Sequence, residues 1–479
     1  MLVKRRGELA LCIAGAVAVV WSYALLFHHA PLGRFVPTFA DEVFYYKQAA
    51  GFVAAGFHHG QWGAGRQAAA LGGCDVHGCG FMVVTGLFGR VFGWSFARAI
   101  VFNFVCLAIA ALCCAWLAPQ PRRSRTLVLL LLLLSSDLVV AYVHATMQEV
   151  LHVAGAFVLA AAARRFVDSP KRRWLALYFA VGAALGLVRV TWIIYLPLAA
   201  LLVPQLAAWR RARIAAAGAL VAWAVFKLSS LTNPAGGQLS PTLTAGPSFG
   251  ALASGVALNL KQIFTVRGLE PLYVLFHATW IALLIAPLIL SRPRPRAPTL
   301  IWAWVGLAVL TAMQLVLYQC AYWRDYRVMH APLAIVIVAL ALDDRAWLRS
   351  ALLAFQLVCL PLAVSQGAAW NAERVRDPAW VAANRGALGA LLPAARDAAA
   401  GDRWCRTVAV EWSLIDWPRL LAIPDGLGLE IVREPGELVG HPARFLISTR
   451  TAPPGDRRLI GRWEPGLFVY EKSQSACRE

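Results

Sequence analysis

Charge is what this chain has least of. Only 15% of its 479 residues are Asp, Glu, Lys or Arg, against roughly 25% in a soluble domain. Hydrophobic residues make up 59%, and mean hydropathy is +0.61. That excludes a soluble enzyme with one large core and describes a polytopic membrane protein. Acidic residues are the scarcer sign, 25 against 45 basic. The net charge of +20 does not mark a nucleic-acid partner, because the basic residues come in short clusters between apolar runs. No Walker-type phosphate loop appears. No clear internal repeat appears either, which weighs against a transporter. The ten cysteines build no metal framework. Cys12, Cys106, Cys113, Cys114 and Cys359 lie in apolar runs, where a thiol serves as a small hydrophobe. Cys74 and Cys79 flank a short loop, GGCDVHGCG, suited to a local disulfide outside the cytoplasm. A zinc site there with His77 is the weaker reading, with only three soft ligands in view.

What is present is a series of apolar runs. A helix needs roughly 20 apolar residues to cross a bilayer, and the chain holds about eleven such stretches. They fall near 8–29, 96–117, 126–142, 148–166, 174–189, 191–209, 213–231, 269–290, 299–319, 327–342 and 350–369. The first follows Lys4, Arg5 and Arg6 and is too long for a signal-peptide core, so it reads as a retained span. Phe81–Trp94 is apolar but short, a half-span or interfacial helix. Basic clusters at Arg122–Arg125, Arg164–Arg173, Arg210–Arg213, Arg292–Arg296 and Arg345–Arg349 all fall on the N-terminal side if every run crosses once. The positive-inside rule then puts the N-terminus in the cytoplasm and the C-terminus outside. The chain divides into a transmembrane module, 1–369, and an extracytoplasmic α/β domain, 370–479, with strand-like RTVAVEW, RFLIST and GLFVYEK. Cys405 and Cys477 near the ends of that domain are placed to pair. Two sizeable external loops remain, 30–80 and 233–271.

On this topology four polar groups share the outer face. Asp41 and Glu42 stand in PTFADEVFYY. His144, Gln148 and Glu149 stand in AYVHATMQEV. Arg189 interrupts GLVRVTW, and Tyr322, Arg324, Asp325 and Arg327 stand in YQCAYWRDYRVMHAP. Charge at a membrane edge is costly and marks a working site. Carboxylates take protons from hydroxyls, and Arg forks bind phosphate. The plain alternatives are a helix N-cap for Asp41, pairing with Asp325 or snorkelling for Arg324 and Arg327, and an interfacial Glu149. His58, His59 and His77 read as solvated loop residues, and Asp343–Asp344 as a helix cap. Asp41 begins a segment in which Val43, Tyr46, Ala50, Val53 and Phe57 recur at helical spacing, an amphipathic helix at the membrane surface. Adjacent residues on it point about 100° apart, so the two carboxylates do not serve one atom.

These motifs, ADEVFYY, HATMQEV, LGLVRVTW and YWRDYRVMHAP in that order over Lys4–Gly367, resemble the membrane glycosyltransferases of the GT-C fold that use polyprenyl-phosphate sugars, among them the aminoarabinose transferases and protein mannosyltransferases. The resemblance implies an inverting transfer to an envelope lipid, glycan or protein on the outer face of the inner membrane. In it Asp41 is general base or metal ligand, and Glu42 and Glu149 are supporting acids. His144, Arg189, Tyr322, Arg324 and Arg327 bind the donor. A divalent cation, Mg or Mn, would sit on Asp41 and Glu149. A flippase, a polymerase or ligase of lipid-linked saccharides, and a membrane scaffold are the competing readings.

Overall fold

The computed structural model describes residues 10, 13–15, 30–58, 62–64, 79–117, 123–134, 136–232, 248–264, 278–279, 281–285, 298–317, 330–341, 346–392, 404–411, 417–425, 427–432, 438–451 and 455–472. Tyr322, Arg324, Arg327, Cys74, Cys477 and most of the first apolar run lie outside them.

The helices in chain order are α1 (Ala40–Ala55), α2 (Gly80–Phe92), α3 (Phe96–Leu117), α4 (Arg123–Leu134), α5 (Asp137–Tyr142), α6 (Glu149–Asp168), α7 (Arg172–Val188), α8 (Ala208–Thr232), α9 (Phe249–Phe264), α10 (Pro298–Leu317), α11 (His330–Ala341), α12 (Ala346–Arg374) and α13 (Pro378–Leu391). Four stretches among the described residues are long and apolar enough to cross a bilayer alone: Phe96–Cys114, Glu149–Asp168, Ala208–Ser229 and Arg349–Arg374. Among the described residues the expected count of about eleven is not confirmed; most of the runs near 8–29 and 269–290 lies outside them. The run near 126–142 is two helices, interrupted where Ser136 takes an extended backbone ahead of α5; serine and aspartate favour caps over helix interiors. The run near 191–209 is a chain of short 3₁₀ and α turns over residues 190–202. At 1.5–2.0 Å per residue it covers about 24 Å, short of the ~30 Å hydrocarbon core. Its irregular backbone is buried in protein, where Tyr178 donates its hydroxyl to the Tyr195 carbonyl and accepts from Trp302 Nε1 at 2.9 Å. That is the setting in which broken helix survives at membrane depth. The stretch 233–271, expected to be external, holds α9, and Asn259 on that helix donates to the Leu315 carbonyl at 2.8 Å.

Close helix contact rests on small residues. Gly155 on α6 leaves room for Leu185 of α7, where a Cβ would come within 2.4 Å of it. Ala154, Ala156 and Ala160–Ala163 continue that buried, small-residue surface.

The C-terminal residues form a six-stranded mixed sheet with β1 (Trp62–Ala64), β2 (Thr407–Glu411), β3 (Gly428–Val432), β4 (Phe445–Ser448), β5 (Arg458–Glu464) and β6 (Leu467–Glu471), in the order β1-β3-β2-β4-β6-β5. The first four neighbours in that order run parallel and the last two pairings are antiparallel. The edge strand β1 comes from the stretch 30–80, so the sheet is built from both ends of the chain. Alternation along the strands sorts side chains to two faces. Val408, Val410, Leu429, Ile431, Phe445 and Ile447 pack on one, together with Val43 and Tyr46 of α1 and Val381 and Leu388 of α13. Ala409, Val432, Leu446 and Tyr470 pack on the other with Trp404. α13 starts at Pro378 behind an Asp377 side chain that accepts the Ala379 N–H at 2.9 Å, a favoured helix start.

Cys79 and Cys405 are each disulfide-bonded; Cys74 and Cys477 fall outside the described residues. Cys106, Cys113, Cys114 and Cys359 are free thiols.

Candidate active site

α1 is buried on nearly every side. Val43, Tyr45, Tyr46, Ala49, Ala50 and Phe52 are all at or below 6% exposure. The spacing predicts one buried face, and the sheet covers it through Val43 and Tyr46, while Tyr45 on the opposite face packs on Phe81 of the helical module. The helix ends at Gly56, whose φ of +60° suits a residue without Cβ.

The acidic pair is divided as the helical period requires. Glu42 points inward, with 0% exposure. Its Oε1 accepts from Arg374 Nε at 2.7 Å and pairs with Nη2 at 2.5 Å. Its Oε2 accepts the N–H of Thr38 at 3.0 Å and of Phe39 at 3.5 Å. Glu42 thus satisfies the donors at the start of α1 and binds the end of α12. Those contacts occupy both its oxygens and make it an anchor between the start of α1 and the end of α12. Asp41 stands in the first turn of α1, whose N-cap is Phe39, and is half-buried.

Arg374 lies across the Phe39 ring, 5.1 Å from its centre, and Nη1 donates to Asn371 Oδ1 at 3.2 Å. His144 joins this knot by stacking on Phe35, centres 4.6 Å apart. Burial first, and then the Arg374 charge, push the His144 pKa from 6.5 down to about 3. The turn carrying it is tied down by Asn103 of α3, which donates to the carbonyls of Val143 at 3.0 Å and Ala145 at 2.7 Å. Glu149 opens α6 and is buried. Behind it Trp192 donates to His152 Nδ1 at 3.0 Å, which leaves His152 Nε2 to donate to Gln148 Oε1 at 3.2 Å.

The low pKa of His144 fixes a pH dependence. The fold holds the ring neutral, while the unfolded chain protonates it near 6.5. Its contribution is complete above 6.5 and is lost as pH falls toward 3, by up to roughly 4–5 kcal/mol over the window. The melting temperature of the purified protein should fall between pH 7 and pH 5, and less steeply in His144→Gln. An unchanged slope in that variant would assign the acid sensitivity elsewhere.

Arg189 caps α7 and is half-buried, with no ion pair or side-chain hydrogen bond among the described residues. It lies at the same end of the bundle as Asp41. A Cβ on Gly80 would stand 2.5 Å from the Leu187 carbonyl, so only glycine lets the start of α2 press against the end of α7. The next residue, Phe81, meets the ring of Tyr45 at 5.1 Å, and Tyr45 stands one turn from Asp41 on the same side of α1.

Sequence reasoning missed Lys47. It is buried, and Nζ donates to the Ile423 carbonyl and pairs with Asp425. Burial draws its pKa down to about 8, against the opposing pull of Asp425. Arg385 closes the network, with Nη1 on Asp425 Oδ2 at 3.1 Å and Nη2 on the Leu421 carbonyl at 3.0 Å. A lysine in an otherwise apolar helix was the available signal. Arg374 was missed too, although it follows an apolar run by a few residues.

Among the described residues, no three His, Cys, Asp or Glu side chains gather to hold a metal ion. Among the described residues, Asp41 and Glu149 have no third such side chain beside them to complete a divalent-cation site.

Among the described residues four helices are long and apolar enough to cross a membrane, and with the sheet they make up a fold shared with solved structures of the GT-C fold. ArnT from Cupriavidus metallidurans bound to undecaprenyl phosphate superposes on it with a TM-score of 0.55 at 14% identity, over 98% of this chain and 99% of that one. The oligosaccharyltransferase of Archaeoglobus fulgidus tethered with an acceptor peptide gives 0.48 at 11% identity, over 91% of this chain and 69% of that one. No family model and no curated protein sequence matches this chain.

Proposed function

We propose that the chain is a glycosyltransferase that moves a sugar from a polyprenyl-phosphate donor to an envelope acceptor at the outer face of the inner membrane. The observation that carries this reading is a half-buried carboxylate, Asp41, and a half-buried guanidinium, Arg189, which has no ion pair or side-chain hydrogen bond among the described residues, on helix ends linked through the contacts of Gly80 with Leu187 and of Phe81 with Tyr45. The ArnT superposition supports it by supplying a scaffold seen with undecaprenyl phosphate.

In this reading the donor's tail lies between helices and its phosphate meets Arg189. Asp41 takes the proton of an acceptor hydroxyl or amine. The acceptor atom bonds to the anomeric carbon as the bond from that carbon to the phosphate oxygen breaks, inverting the configuration. The leaving phosphate gains negative charge, and a fixed guanidinium stabilises it where that charge develops. Tyr322, Arg324 and Arg327 are proposed to add to the donor site, and His144 and Glu149 to shape its floor.

The test is a panel of synthetic undecaprenyl-phosphate monosaccharides supplied with an envelope lipid extract. Wild type should release undecaprenyl phosphate from one of them. Arg189→Ala should raise the donor KM by about 10- to 100-fold, the worth of a charged hydrogen bond, with an unaltered melting temperature. No release from any donor by wild type, or an unchanged KM in the variant, would overturn the assignment.

A further inference from the structure

We infer that the C-terminal domain sets the direction of Asp41, with Lys47, Asp425 and Arg385 as positioning residues that stop α1 from turning about its axis. The inference rests on the transferase reading and deepens it.

α1 begins ADEVFYYK, and its charged residues are Asp41, Glu42 and Lys47. At about 100° per residue, Glu42 lies about 100° from Asp41 around the axis and Lys47 about 240°. The three therefore face three well-separated directions. Two of them are held by ion pairs to different bodies: Glu42 to Arg374 at the end of α12, and Lys47 to Asp425 in the C-terminal domain. One such contact leaves a helix free to roll about the contact point. Two on separate faces remove that freedom, and the direction of Asp41 follows.

The remaining contacts agree. Trp94 Nε1, just past α2, donates to the Tyr46 carbonyl at 3.1 Å and Arg90 Nη2 of α2 to the Phe52 carbonyl at 3.2 Å, holding α1 against α2 and the residues that follow it. The chain then enters β1, an edge strand of the domain's own sheet. Arg385 keeps Asp425 aimed, because it grips the other carboxylate oxygen and the Leu421 carbonyl together. The lever is short. A carboxylate about 5 Å from the helix axis moves about 1 Å for a roll of about 12°, and a 1 Å misplacement can cost on the order of 100-fold in rate.

The experiment compares Asp425→Asn with the double variant Lys47→Met/Asp425→Asn in the full chain. Asp425→Asn strands a buried cation and should lower both stability and rate. The double variant replaces the buried pair with neutral groups, which restores stability without restoring the tether. Its melting temperature should return close to wild type. Deuterium uptake by the amides of 40–47 should stay at least tenfold faster. Release of undecaprenyl phosphate from the donor panel should stay about 100-fold down in kcat with donor KM unchanged. A kcat that recovers with stability, or uptake equal to wild type, overturns the inference. Arg385→Gln, at the half-exposed end of the network, guards against a double variant that does not fold: a smaller change of the same sign supports the clamp, and none overturns it. If wild type turns over no donor, the transferase reading fails, while deuterium uptake still decides whether the domain holds α1.

Discussion

Asp41→Asn is expected to abolish sugar transfer while leaving a folded protein that still binds undecaprenyl phosphate. The substitution is isosteric and half-buried, and neither anchor of α1 passes through Asp41, so stability should stay within about 0.5 kcal/mol. What is lost is the proton acceptor. General base catalysis contributes about 10²- to 10⁴-fold, and a drop in kcat of that size is expected. Donor affinity should hold, because the phosphate contact is assigned to Arg189. Asp41→Glu keeps the carboxylate but moves it by one methylene, and should retain an intermediate rate. The decisive comparison is the pH–rate profile. Wild type and Asp41→Glu should gain rate as the carboxyl ionises, whereas Asp41→Asn should be flat at its residual level. Wild-type turnover by Asp41→Asn would remove Asp41 from the chemistry altogether.

The split between Asp41 and Glu42 was legible in the sequence because it is local: it needs only the angle between neighbours on a helix. The bounds of several apolar helices were legible for a related reason. Hydropathy over 96–117 maps directly onto α3, Phe96–Leu117, since any buried helix of that length must be apolar throughout. Hydropathy does not encode backbone geometry, however. The run near 191–209 is as apolar as a spanning helix, yet it folds as short turns whose Tyr195 carbonyl is met by Tyr178. The partners of α1 were not legible. Arg374 lies 332 residues from Glu42, and Asp425 lies 378 residues from Lys47, so no periodicity links them. The second buried face of α1 is likewise a product of tertiary contact. Val43 and Tyr46 fit the predicted apolar stripe, but Lys47 and Gln48 are just as buried, Lys47 against Ile423 and Asp425 of the C-terminal domain.

Arg374→Ala should be among the most damaging single substitutions available, through stability before activity. It leaves Glu42 at 0% exposure with a negative charge and only the Thr38 and Phe39 N–H groups to meet it. Breaking one side of a buried ion pair costs about 3–5 kcal/mol, much of it the penalty of the charge left behind. Glu42→Gln should cost less, because the amide keeps an oxygen for those N–H donors, yet it strands the Arg374 guanidinium. The double variant Glu42→Gln/Arg374→Met removes both charges, and its loss should be well below the sum of the single losses. Unfolding of the purified protein, measured for all four members of the cycle, gives the coupling between the two residues directly. Additive losses would show that each residue acts alone and that α12 does not hold the start of α1. A coupling of at least about 1 kcal/mol, the lower range for residues sharing one network, is the expected result. It would make Glu42 an anchor in function as in geometry.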